Sequence, residues 1–266
     1  MQAAKLPTGI VHLVGAGPGA ADLLTLRAVR LLERADVIVH DRLVSDEILA
    51  LANPAAERIY VGKRRADHCL PQEQINALLV RLAHRHACVV RLKGGDPLIF
   101  GRGGEEAEAL AEAGIEVRIV PGVTAALACA AQAGIPLTHR GVSRSVTFVT
   151  GHTKDGVLDV DFVGIARSLM AQGGSTVAVY MGIVTLPALA TGLAGHGLDP
   201  ATTPAALIER GGSPRQRELR GTLASIALAA QAWSDGGPAL LIIGDVVRRR
   251  TGGALCAAAG SAAATD

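Results

Sequence analysis

The chain has 266 residues, of which 49% are hydrophobic and 19% are charged. This composition is typical of a globular protein with an ample core, and it excludes an intrinsically disordered chain. A formal net charge of +2, with no basic run interleaved with aromatic residues, predicts a protein without a nucleic-acid partner.

The chain alternates short apolar runs with helical patterns in both halves, which predicts parallel sheets in an α/β fold. The predicted strands of the first half are Val11–Gly15, Val37–His40, Arg58–Val61, Val89–Leu92 and Glu116–Ile119. The predicted helices of this half are Thr25–Arg34, Ser45–Leu51, Gln72–Leu82, Gly104–Ala113 and Val123–Ala133. The last helix consists mainly of small residues, so we expect it to pack closely against its neighbours.

A stretch rich in proline, glycine and basic residues, GIPLTHRGVSRS, predicts the boundary between two domains. We expect an N-terminal α/β domain over 1–136, a C-terminal α/β domain over 137–250 and a disordered tail of low complexity over 251–266. The predicted strands of the second domain are Val146–Thr150, Thr176–Met181, Ala205–Glu209, Arg217–Leu219 and Ala239–Ile243. Its predicted helices are Phe162–Ala171, Leu186–Ala194 and Thr222–Gln231.

Glycine and charge concentrate in the segments that follow the predicted strands of the first domain. In chain order these segments read GAGPGAAD, HDRLVS, GKRR, KGGDPLIFGRGGEE and PGVTAA, whereas the strands carry almost no charge. Ligands of open α/β sheets bind outside the carboxyl ends of the strands. We therefore expect the functional site at this edge of the first sheet.

The first of these segments fits the G-x-G-x-x-A fingerprint of dinucleotide-binding folds through Gly15, Gly17 and Ala20. Two features weaken this interpretation. Pro18 removes a backbone donor that a pyrophosphate would use, and the helical pattern begins only near 22–25. The motif alone leaves open a nicotinamide-dependent oxidoreductase and a tight turn without a ligand.

Asp41 stands after the second strand, at the spacing of a ribose-binding carboxylate. The side chains near it in the sequence are basic, however: Arg42, Lys63, Arg64 and Arg65. Such a group of cations indicates a site for anionic groups rather than for a ribose alone.

The segment after the fourth strand carries five glycines in eleven residues, a cost in backbone entropy that a merely structural loop does not need. Gly94 and Gly95 allow a ligand to approach the backbone closely. Asp96 offers acceptor oxygens to a ribose diol or an ammonium group, and Arg102 and Glu105 project from the second glycine-rich part. The pattern predicts a binding loop.

Several segments, taken in chain order, carry a resemblance to a known family. They read VGAGPGAADLLTLRA, HDRLVS, VGKR, RLKGGDPLIFGRGGEEAEAL, VPGVTAALA, GIPLTHRG and TGH. Together they resemble the uroporphyrinogen-III C-methyltransferases, from about Val11 to about Val247. GGDP and GAGPG are shared across the tetrapyrrole methylase superfamily, whereas KGGDPLIFGRGGEE and VGKR are more particular to this family.

The resemblance implies a two-domain tetrapyrrole methylase fold (class III methyltransferase), with a sheet in each domain and the cofactor cleft between them. It implies that S-adenosylmethionine is the methyl donor, S-adenosylhomocysteine the product and the assembly a homodimer. The implied reaction is two methyl transfers to uroporphyrinogen III, at C2 and C7, which give precorrin-2 for sirohaem, cobalamin or haem d1 biosynthesis.

The resemblance also implies roles for individual residues. The implied cofactor contacts are Pro18, Gly94, Gly95, Asp96, Ile99, Thr124, Ala125, Met181, Gly211, Ala239 and Leu240. Asp41 and Lys63 match a proton acceptor and a proton donor. The substrate pocket is matched by Arg42, Arg102, Glu105, Arg140 and His152, of which Arg102 and Glu105 also count as catalytic candidates.

These residue types suit the implied chemistry. A porphyrinogen with eight carboxylates calls for arginines, which bind carboxylates bidentately and stay charged at cellular pH. Methylation of an electron-rich pyrrole carbon leaves a cationic ring that must lose a proton, and Asp41 and Glu105 are the candidate bases. Glu105 has a second interpretation as a carboxylate favoured by a helix N-terminus.

The cysteines, the N-terminal stretch and the apolar runs indicate the cellular compartment of the protein. The four cysteines (Cys69, Cys88, Cys129 and Cys256) show neither C-x-x-C pairing nor metal-ligand spacing, so we expect reduced thiols and no metal. The N-terminal stretch lacks a signal-peptide core and no apolar run spans a bilayer, so we expect a cytoplasmic protein without a membrane partner.

Two alternatives are a methylase of a cobalt-corrinoid or of a protein, and a non-catalytic tetrapyrrole carrier. The arginine-rich GKRR and FGRGGEE segments favour the eight-carboxylate substrate over the first, and GGDP and Pro18 count against the second.

Overall fold

The computed structural model describes residues 8–62, 70–154 and 157–249. The chain divides into two compact units, one up to Ala125 and one from Ala126 onward. This division comes before the predicted boundary at residue 136, so the helix of small residues that precedes that boundary belongs to the second unit. The predicted tail over 251–266 lies outside the described residues.

The described part of the first unit forms a parallel sheet with helices on both faces. The strands are β1 (Ile10–Gly15), β2 (Val37–His40), β3 (Glu57–Tyr60), β4 (Cys88–Lys93) and β5 (Val117–Val120), in the order β3-β2-β4-β1-β5. Every neighbouring pair is parallel. The helices are α1 (Leu26–Leu32), α2 (Asp46–Ala50), α3 (Gln72–Ala83) and α4 (Gly103–Glu112), and a short 3-10 turn (Ala21–Leu23) precedes α1.

The core of this unit lies on both faces of the sheet. Leu32 of α1 and Ile48 of α2 are fully buried against one face. Leu79 of α3 and Leu110 of α4 are fully buried against the other. Each such side chain contributes about 1.5–3 kcal/mol by leaving water. Because both faces are covered, the inner strands β1 and β2 are almost continuously apolar instead of alternating.

The described part of the second unit contains a second five-stranded sheet. The strands and helices of this unit are, in chain order, α5 (Ala125–Gln132), β6 (Ser145–Thr150), β7 (Thr153–Lys154), β8 (Val157–Leu158), α6 (Phe162–Met170), β9 (Ser175–Tyr180), α7 (Leu186–Ala194), β10 (Pro204–Glu209), β11 (Arg217–Thr222), α8 (Leu223–Trp233) and β12 (Ala239–Ile243). The strand order in the five-stranded sheet is β11-β10-β12-β9-β6, and β7 and β8 form a separate two-stranded ribbon.

The prediction of parallel sheets is confirmed for the first unit and wrong for the second. There, only β6 and β9 are parallel, whereas β12 is antiparallel to both β9 and β10, and β10 is antiparallel to β11. The connection between β10 and β11 comprises residues 210–216. A parallel return needs a crossover of about a dozen residues or more, so this short connection allows only a hairpin.

The predicted elements otherwise coincide closely with the observed ones. β2, β12 and α7 have the predicted bounds, whereas β11 extends three residues beyond its prediction, to Thr222. The ribbon of β7 and β8 is not predicted from the sequence. Among the described residues, no helix combines the length and apolar character needed to cross a membrane.

Candidate active site

The loops after β1 and β4 meet at the carboxyl edge of the first sheet. These strands are neighbours, but the helices that follow them, α1 and α4, pack on opposite faces. Ligands of open α/β sheets bind at such switch points. The Gly17 N–H donates to the Gly95 carbonyl at 3.1 Å, and the Gly95 N–H donates to the Gly17 carbonyl at 2.7 Å. The structure thus joins the two glycine loops that the sequence singles out.

Backbone donors of the first loop are used within the protein. The Ala16 N–H donates to the Lys93 carbonyl at 2.7 Å, the Gly17 N–H is bonded to Gly95, and Pro18 carries no N–H. The first α-helical residue is Leu26, beyond the 3-10 turn. A pyrophosphate needs free N–H groups at a helix N-terminus. The loop offers none at these three positions, which argues against the nicotinamide interpretation.

Glycines allow three loops to cross at backbone contact. A Cβ atom on Gly15 would lie 2.5 Å from the Gly122 nitrogen and 2.7 Å from the Gly95 oxygen. A Cβ atom on Gly122, in the loop after β5, would overlap the same Gly95 oxygen. Gly15 is therefore a packing glycine. Gly122 belongs to the PGVTAA segment singled out in the sequence, but no role for it is predicted there.

Asp96 holds these loops together. Its Oδ2 accepts the Gly122 N–H at 3.0 Å, and its Oδ1 accepts the Leu98 N–H at 2.9 Å. The sequence interpretation assigns these oxygens to a ribose diol or an ammonium group. In the structure each oxygen already accepts a backbone hydrogen bond, so Asp96 shapes the loop whatever else it binds.

Gly95 lies beside Thr124 and Ala125, within ordinary van der Waals distance of both. A Cβ atom on Gly95 would lie no closer than 3.9 Å to the Ala125 nitrogen and 4.0 Å to the Thr124 Cα. The φ of Gly95 is +69°, a conformation that glycine adopts without strain. All three residues belong to the predicted cofactor set, and the structure brings them together within the first unit.

The other predicted cofactor residues of the first unit lie on the same loops. Pro18 and Ile99 are half-buried, in the loops after β1 and β4. Gly94 lies against Leu43, since a Cβ atom at Gly94 would come within 2.5 Å of the Leu43 Cβ. The loop after β2 therefore joins the group, and the Ser45 hydroxyl ties it to the first loop by donating to the Gly19 carbonyl at 2.7 Å.

Asp41 lies at the start of the loop after β2, with a side chain that is 26% exposed. Its Oδ1 accepts the Leu43 N–H at 3.0 Å. Its Oδ2 lies 3.4 Å from Nη2 of Arg91, a buried residue of β4. The carboxylate is thus held from two sides and still reaches the surface.

Arg102 and Glu105 form an exposed bidentate ion pair. Nε and Nη2 of Arg102 donate to the two carboxylate oxygens of Glu105 at 2.9 and 2.6 Å. The hydrogen bond from Arg102 lowers the pKa of Glu105, and the same bond raises the pKa of Arg102. The lowered pKa makes Glu105 a weaker proton acceptor, and both side chains are more than half exposed, so solvent screens the pair.

Of two further predicted site residues, Arg42 and Lys63, the structure describes only Arg42. Arg42 is exposed in the loop after β2. Lys63, the predicted proton donor, lies outside the described residues, as do Arg64 and Arg65.

One edge of the second sheet collects the predicted residues of that unit. The strand register pairs Tyr180 with Thr150 and Leu240, and Glu209 with Ala239, so these ends share one edge. The predicted residues at this edge are His152, Met181, Gly211, Ala239 and Leu240. Arg140 does not belong to this group, because its turn (residues 139–143) precedes the opposite end of β6.

Glu209 fixes the loops at this edge. It is fully buried and accepts hydrogen bonds from the Ser234 hydroxyl at 2.5 Å, the Gly237 N–H at 3.1 Å and Nη1 of Arg217 at 3.3 Å. These bonds attach the segment before Ala239 to the end of β10. A buried carboxylate is tolerated when it is paired in this way.

Unusual backbone conformations occur in these same loops. The non-glycine residues with positive φ in the described part of the chain are Phe100 (51°), Arg102 (59°), Met181 (54°) and Arg210 (52°). A left-handed conformation costs an L-residue about 1–2 kcal/mol, and such strain clusters at functional sites. Two of the four are predicted site residues, and Arg210 precedes a third.

Gly211 lies directly against Cys129 of α5. A Cβ atom on Gly211 would overlap the Cys129 sulfur, so only glycine fits at this place. Burial raises the pKa of the Cys129 thiol to about 12. The thiolate is the reactive form of cysteine, so Cys129 is a packing residue here and not a nucleophile.

We expect Cys129 to resist alkylation in the folded protein. A pKa three units above the usual value lowers the thiolate fraction at neutral pH roughly 1000-fold. Iodoacetamide labelling followed by peptide mass mapping measures each cysteine separately. The urea-unfolded chain is the control, and equal labelling of Cys129 in the folded and unfolded protein would contradict the expectation.

Sequence reasoning also missed a buried charged group behind Asp41. Arg91 and Lys93 of β4 and Glu106 of α4 are all buried. They contradict the expectation of nearly charge-free strands. The available signal was the alternation of two basic residues in CVVRLK, since inward-facing cations in an apolar strand require an anionic partner.

The chain is similar to known proteins over most of its length. The family model of the tetrapyrrole (corrin/porphyrin) methylases matches residues 11–227. The chain is 54% identical to a siroheme synthase of Azotobacter vinelandii over 248 residues, which are 93% of this chain and 52% of that protein. It therefore spans about half the length of the curated relatives it matches.

Solved structures give a similar result. A uroporphyrin-III C-methyltransferase from Thermus thermophilus complexed with S-adenyl homocysteine is 43% identical, with a TM-score of 0.76 over 90% of this chain and 99% of that chain. Its native form is 42% identical, with a TM-score of 0.76 over 90% and 94% of the two chains.

Proposed function

Since the chain belongs to the tetrapyrrole methylase family, we propose that it methylates uroporphyrinogen III at C2 and C7 to give precorrin-2. The observation that carries this proposal is the likeness, over 90% of the chain, to a uroporphyrin-III C-methyltransferase solved with S-adenyl homocysteine. The glycine loops at the carboxyl edge of the first sheet support it independently.

The first unit fits S-adenosylmethionine, which supplies an electrophilic methyl group when bound. Gly95 carries no side chain and lies beside Thr124 and Ala125, so its backbone suits close approach by a ligand. Asp96 fixes the loops around Gly95 by accepting the Gly122 N–H. In the second unit, the residues proposed to contact the cofactor are Met181, Gly211, Ala239 and Leu240.

Arginines hold the substrate in this proposal. Uroporphyrinogen III carries eight carboxylates, and Arg42 and Arg102 are exposed on loops at the same edge of the first sheet. A guanidinium binds a carboxylate through two parallel hydrogen bonds and keeps its charge. Arg140 and His152 are the residues of the second unit proposed to contact substrate carboxylates, and both are exposed. Arg140 shares the guanidinium chemistry but lies at the opposite end of β6 from His152, which contributes an imidazole.

Asp41 accepts a proton in the proposed mechanism. The methylated ring is cationic until it loses a proton, and a positioned carboxylate speeds such a step about 10²- to 10⁴-fold. The partial exposure of Asp41 and its fixed orientation suit this role. Glu105 is the weaker candidate, because its ion pair with Arg102 lowers its pKa.

Anaerobic incubation with uroporphyrinogen III and S-adenosylmethionine tests the activity, with mass spectrometry of the tetrapyrrole as the readout. We expect two added methyl groups per macrocycle. No methylated product would overturn the proposal, and methylation of a cobalt-corrinoid alone would favour another member of the family. Thermal shifts with S-adenosylhomocysteine and with NAD(H) separate the methylase from the oxidoreductase alternative.

Replacement of Arg102 by alanine is expected to raise the KM for uroporphyrinogen III roughly 10- to 100-fold. The reason is the loss of one charge-assisted hydrogen bond, worth about 1.5–3 kcal/mol. Steady-state kinetics with saturating S-adenosylmethionine measure the change.

Arg118→Ala is the matched control for this variant. Arg118 is also an exposed arginine paired with a nearby glutamate, Glu116, at 2.7 Å, but it lies near the amino end of β5. We expect its KM to stay within about twofold of the wild type. If Arg102→Ala behaves like this control, Arg102 does not bind substrate.

We also propose a cytoplasmic homodimer, as the sequence resemblance implies. Light scattering on the purified protein measures the mass of the assembly. A mass equal to that of one chain at micromolar concentration would exclude the dimer.

A further inference from the structure

A buried network of charges connects β4, α4 and Asp41 in the first unit. Arg91 and Lys93 project from the same face of β4, and their side chains are 4% and 5% exposed. Both contact Glu106 of α4, whose side chain is fully buried. The Arg91 Nε lies 3.1 Å and the Lys93 Nζ 2.9 Å from the same oxygen, Oε1.

The Arg91 guanidinium is anchored on all sides. Its Nε–H donates to Glu106, and its Nη1 donates to the backbone carbonyls of Leu92 at 3.1 Å and Val39 at 3.4 Å. Its Nη2 donates to Asp41 Oδ2 at 3.4 Å. A planar donor group with this many fixed partners has one orientation.

Asp41 is the one member of this group of four that reaches the surface. Its Oδ1 is fixed locally by the Leu43 N–H, and its Oδ2 is fixed by Arg91 from inside the unit. These two contacts fix the orientation of the Asp41 carboxylate, and therefore the direction in which its remaining lone pairs point. The group balances as two cations, Arg91 and Lys93, against two carboxylates, Glu106 and Asp41.

We propose that Arg91 is a positioning residue for Asp41, and that Glu106 holds Arg91 in place for this purpose. The inference rests on the proposed function, in which Asp41 accepts the proton released after methylation. Arg91 itself is buried behind Asp41 and does not touch the substrate in this proposal.

The energetics argue for a role beyond packing. Buried ion networks stabilise a fold no better than apolar side chains of similar volume. The face of β4 that carries Arg91 and Lys93 also carries Val89 in the apolar core, so an apolar continuation is available to this strand. Burial and then the neighbouring Arg91 cation lower the pKa of Lys93, which shows that the second cation is held at a cost.

Positioning matters because proton transfer depends on geometry. A catalytic group displaced by about 1 Å loses up to roughly 100-fold in rate. Arg91→Lys keeps the cation but loses the fork that reaches Asp41 and Glu106 together. We expect Arg91→Lys to lower kcat about 10- to 100-fold and to leave the dissociation constant of S-adenosylhomocysteine within about twofold.

A double-mutant cycle tests the inference. Wild type, Arg91→Lys, Asp41→Asn and the double variant are compared by kcat with saturating uroporphyrinogen III and S-adenosylmethionine. If Arg91 acts through Asp41, Arg91→Lys lowers kcat in the wild type and has no further effect, within about twofold, in Asp41→Asn. A merely structural role would lower kcat by the same factor in both backgrounds.

The possible results of this cycle distinguish failure of the inference about Arg91 from failure of the proposed methylase function. In one result, the wild type methylates the substrate and Arg91→Lys lowers kcat by the same factor in the wild-type and Asp41→Asn backgrounds. That result overturns the inference and leaves the proposed function intact. Unchanged kcat in Asp41→Asn overturns both the role of Asp41 and the inference, again without touching the methylase activity. Absence of methylated product in the wild type overturns the function itself.

A second variant covers the case in which Arg91→Lys does not fold. Glu106→Leu/Lys93→Met removes one charge of each sign, keeps Arg91 and Asp41, and deletes the Arg91 anchor. We expect the same loss of kcat, again absent in Asp41→Asn. Wild-type kcat in a folded Glu106→Leu/Lys93→Met protein would overturn the role of Glu106 as the anchor.

Discussion

Replacement of Glu106 by glutamine is expected to lower the free energy of unfolding by about 3–5 kcal/mol. Glu106 Oε1 accepts hydrogen bonds from Arg91, Lys93 and Gln72, whereas its Oε2 has no partner among the described residues. Glutamine retains the acceptor oxygen but removes the only buried anion between two buried cations. Its NH₂ group takes the place of the unpartnered oxygen and gains no acceptor from these contacts.

Removal of the second cation is expected to restore much of this loss. In Glu106→Gln/Lys93→Met, the glutamine oxygen still accepts from Arg91, and no uncompensated charge remains in the group. Denaturant unfolding of the wild type, the single variant and the double variant measures the difference. A Glu106→Gln protein as stable as the wild type would show that the Glu106 charge is not needed to compensate Arg91 and Lys93.

The pH dependence of the Glu106→Gln protein gives an independent check. Burial already lowers the pKa of Lys93 in the folded wild type, and Glu106 opposes that shift. Without Glu106 the folded state binds the Lys93 proton less tightly than the unfolded state does. Stability therefore rises with pH up to the ordinary lysine pKa of about 10.4. The Glu106→Gln defect should accordingly shrink between neutral pH and pH of about 10.

Strands and helices whose residues follow one regular hydrophobic pattern could be predicted from the sequence. β2 is predicted and observed as Val37–His40, because both faces of that strand are covered and the apolar run ends at a charged residue. α7 is likewise predicted and observed as Leu186–Ala194. Such elements depend on residues close in the sequence, which a single chain displays directly.

Features that depend on distant partners could not be predicted in the same way. The sequence identifies Asp96 as an acceptor, but its partner Gly122 lies 26 residues away on another loop. Arg91 and Lys93 become interpretable only when Glu106 is known to face them from α4. The antiparallel β12 also escapes prediction, because its position between β9 and β10 is decided by strand pairing across the whole unit.

Replacement of Gly122 by alanine is expected to weaken binding of S-adenosylhomocysteine about 10- to 100-fold. The new Cβ would overlap the Gly95 carbonyl oxygen and lie 2.8 Å from the Gly15 Cα. Both neighbours are backbone, so neither can rotate away, and the loops after β1, β4 and β5 must separate. Overpacking of this kind also costs typically about 1–3 kcal/mol of stability. The Asp96 bond to the Gly122 N–H would lengthen with the same movement.

Gly104→Ala is the matched control for that variant, because it adds the same methyl group in α4 of the same unit. A Cβ atom at Gly104 meets nothing within 4 Å, and alanine favours the helix, so we expect a gain in stability of about 0.5–1 kcal/mol. Its affinity for S-adenosylhomocysteine should stay within about twofold of the wild type. Isothermal titration calorimetry compares the three proteins. If Gly122→Ala binds as tightly as Gly104→Ala, the close crossing of the three loops is not what shapes the cofactor site.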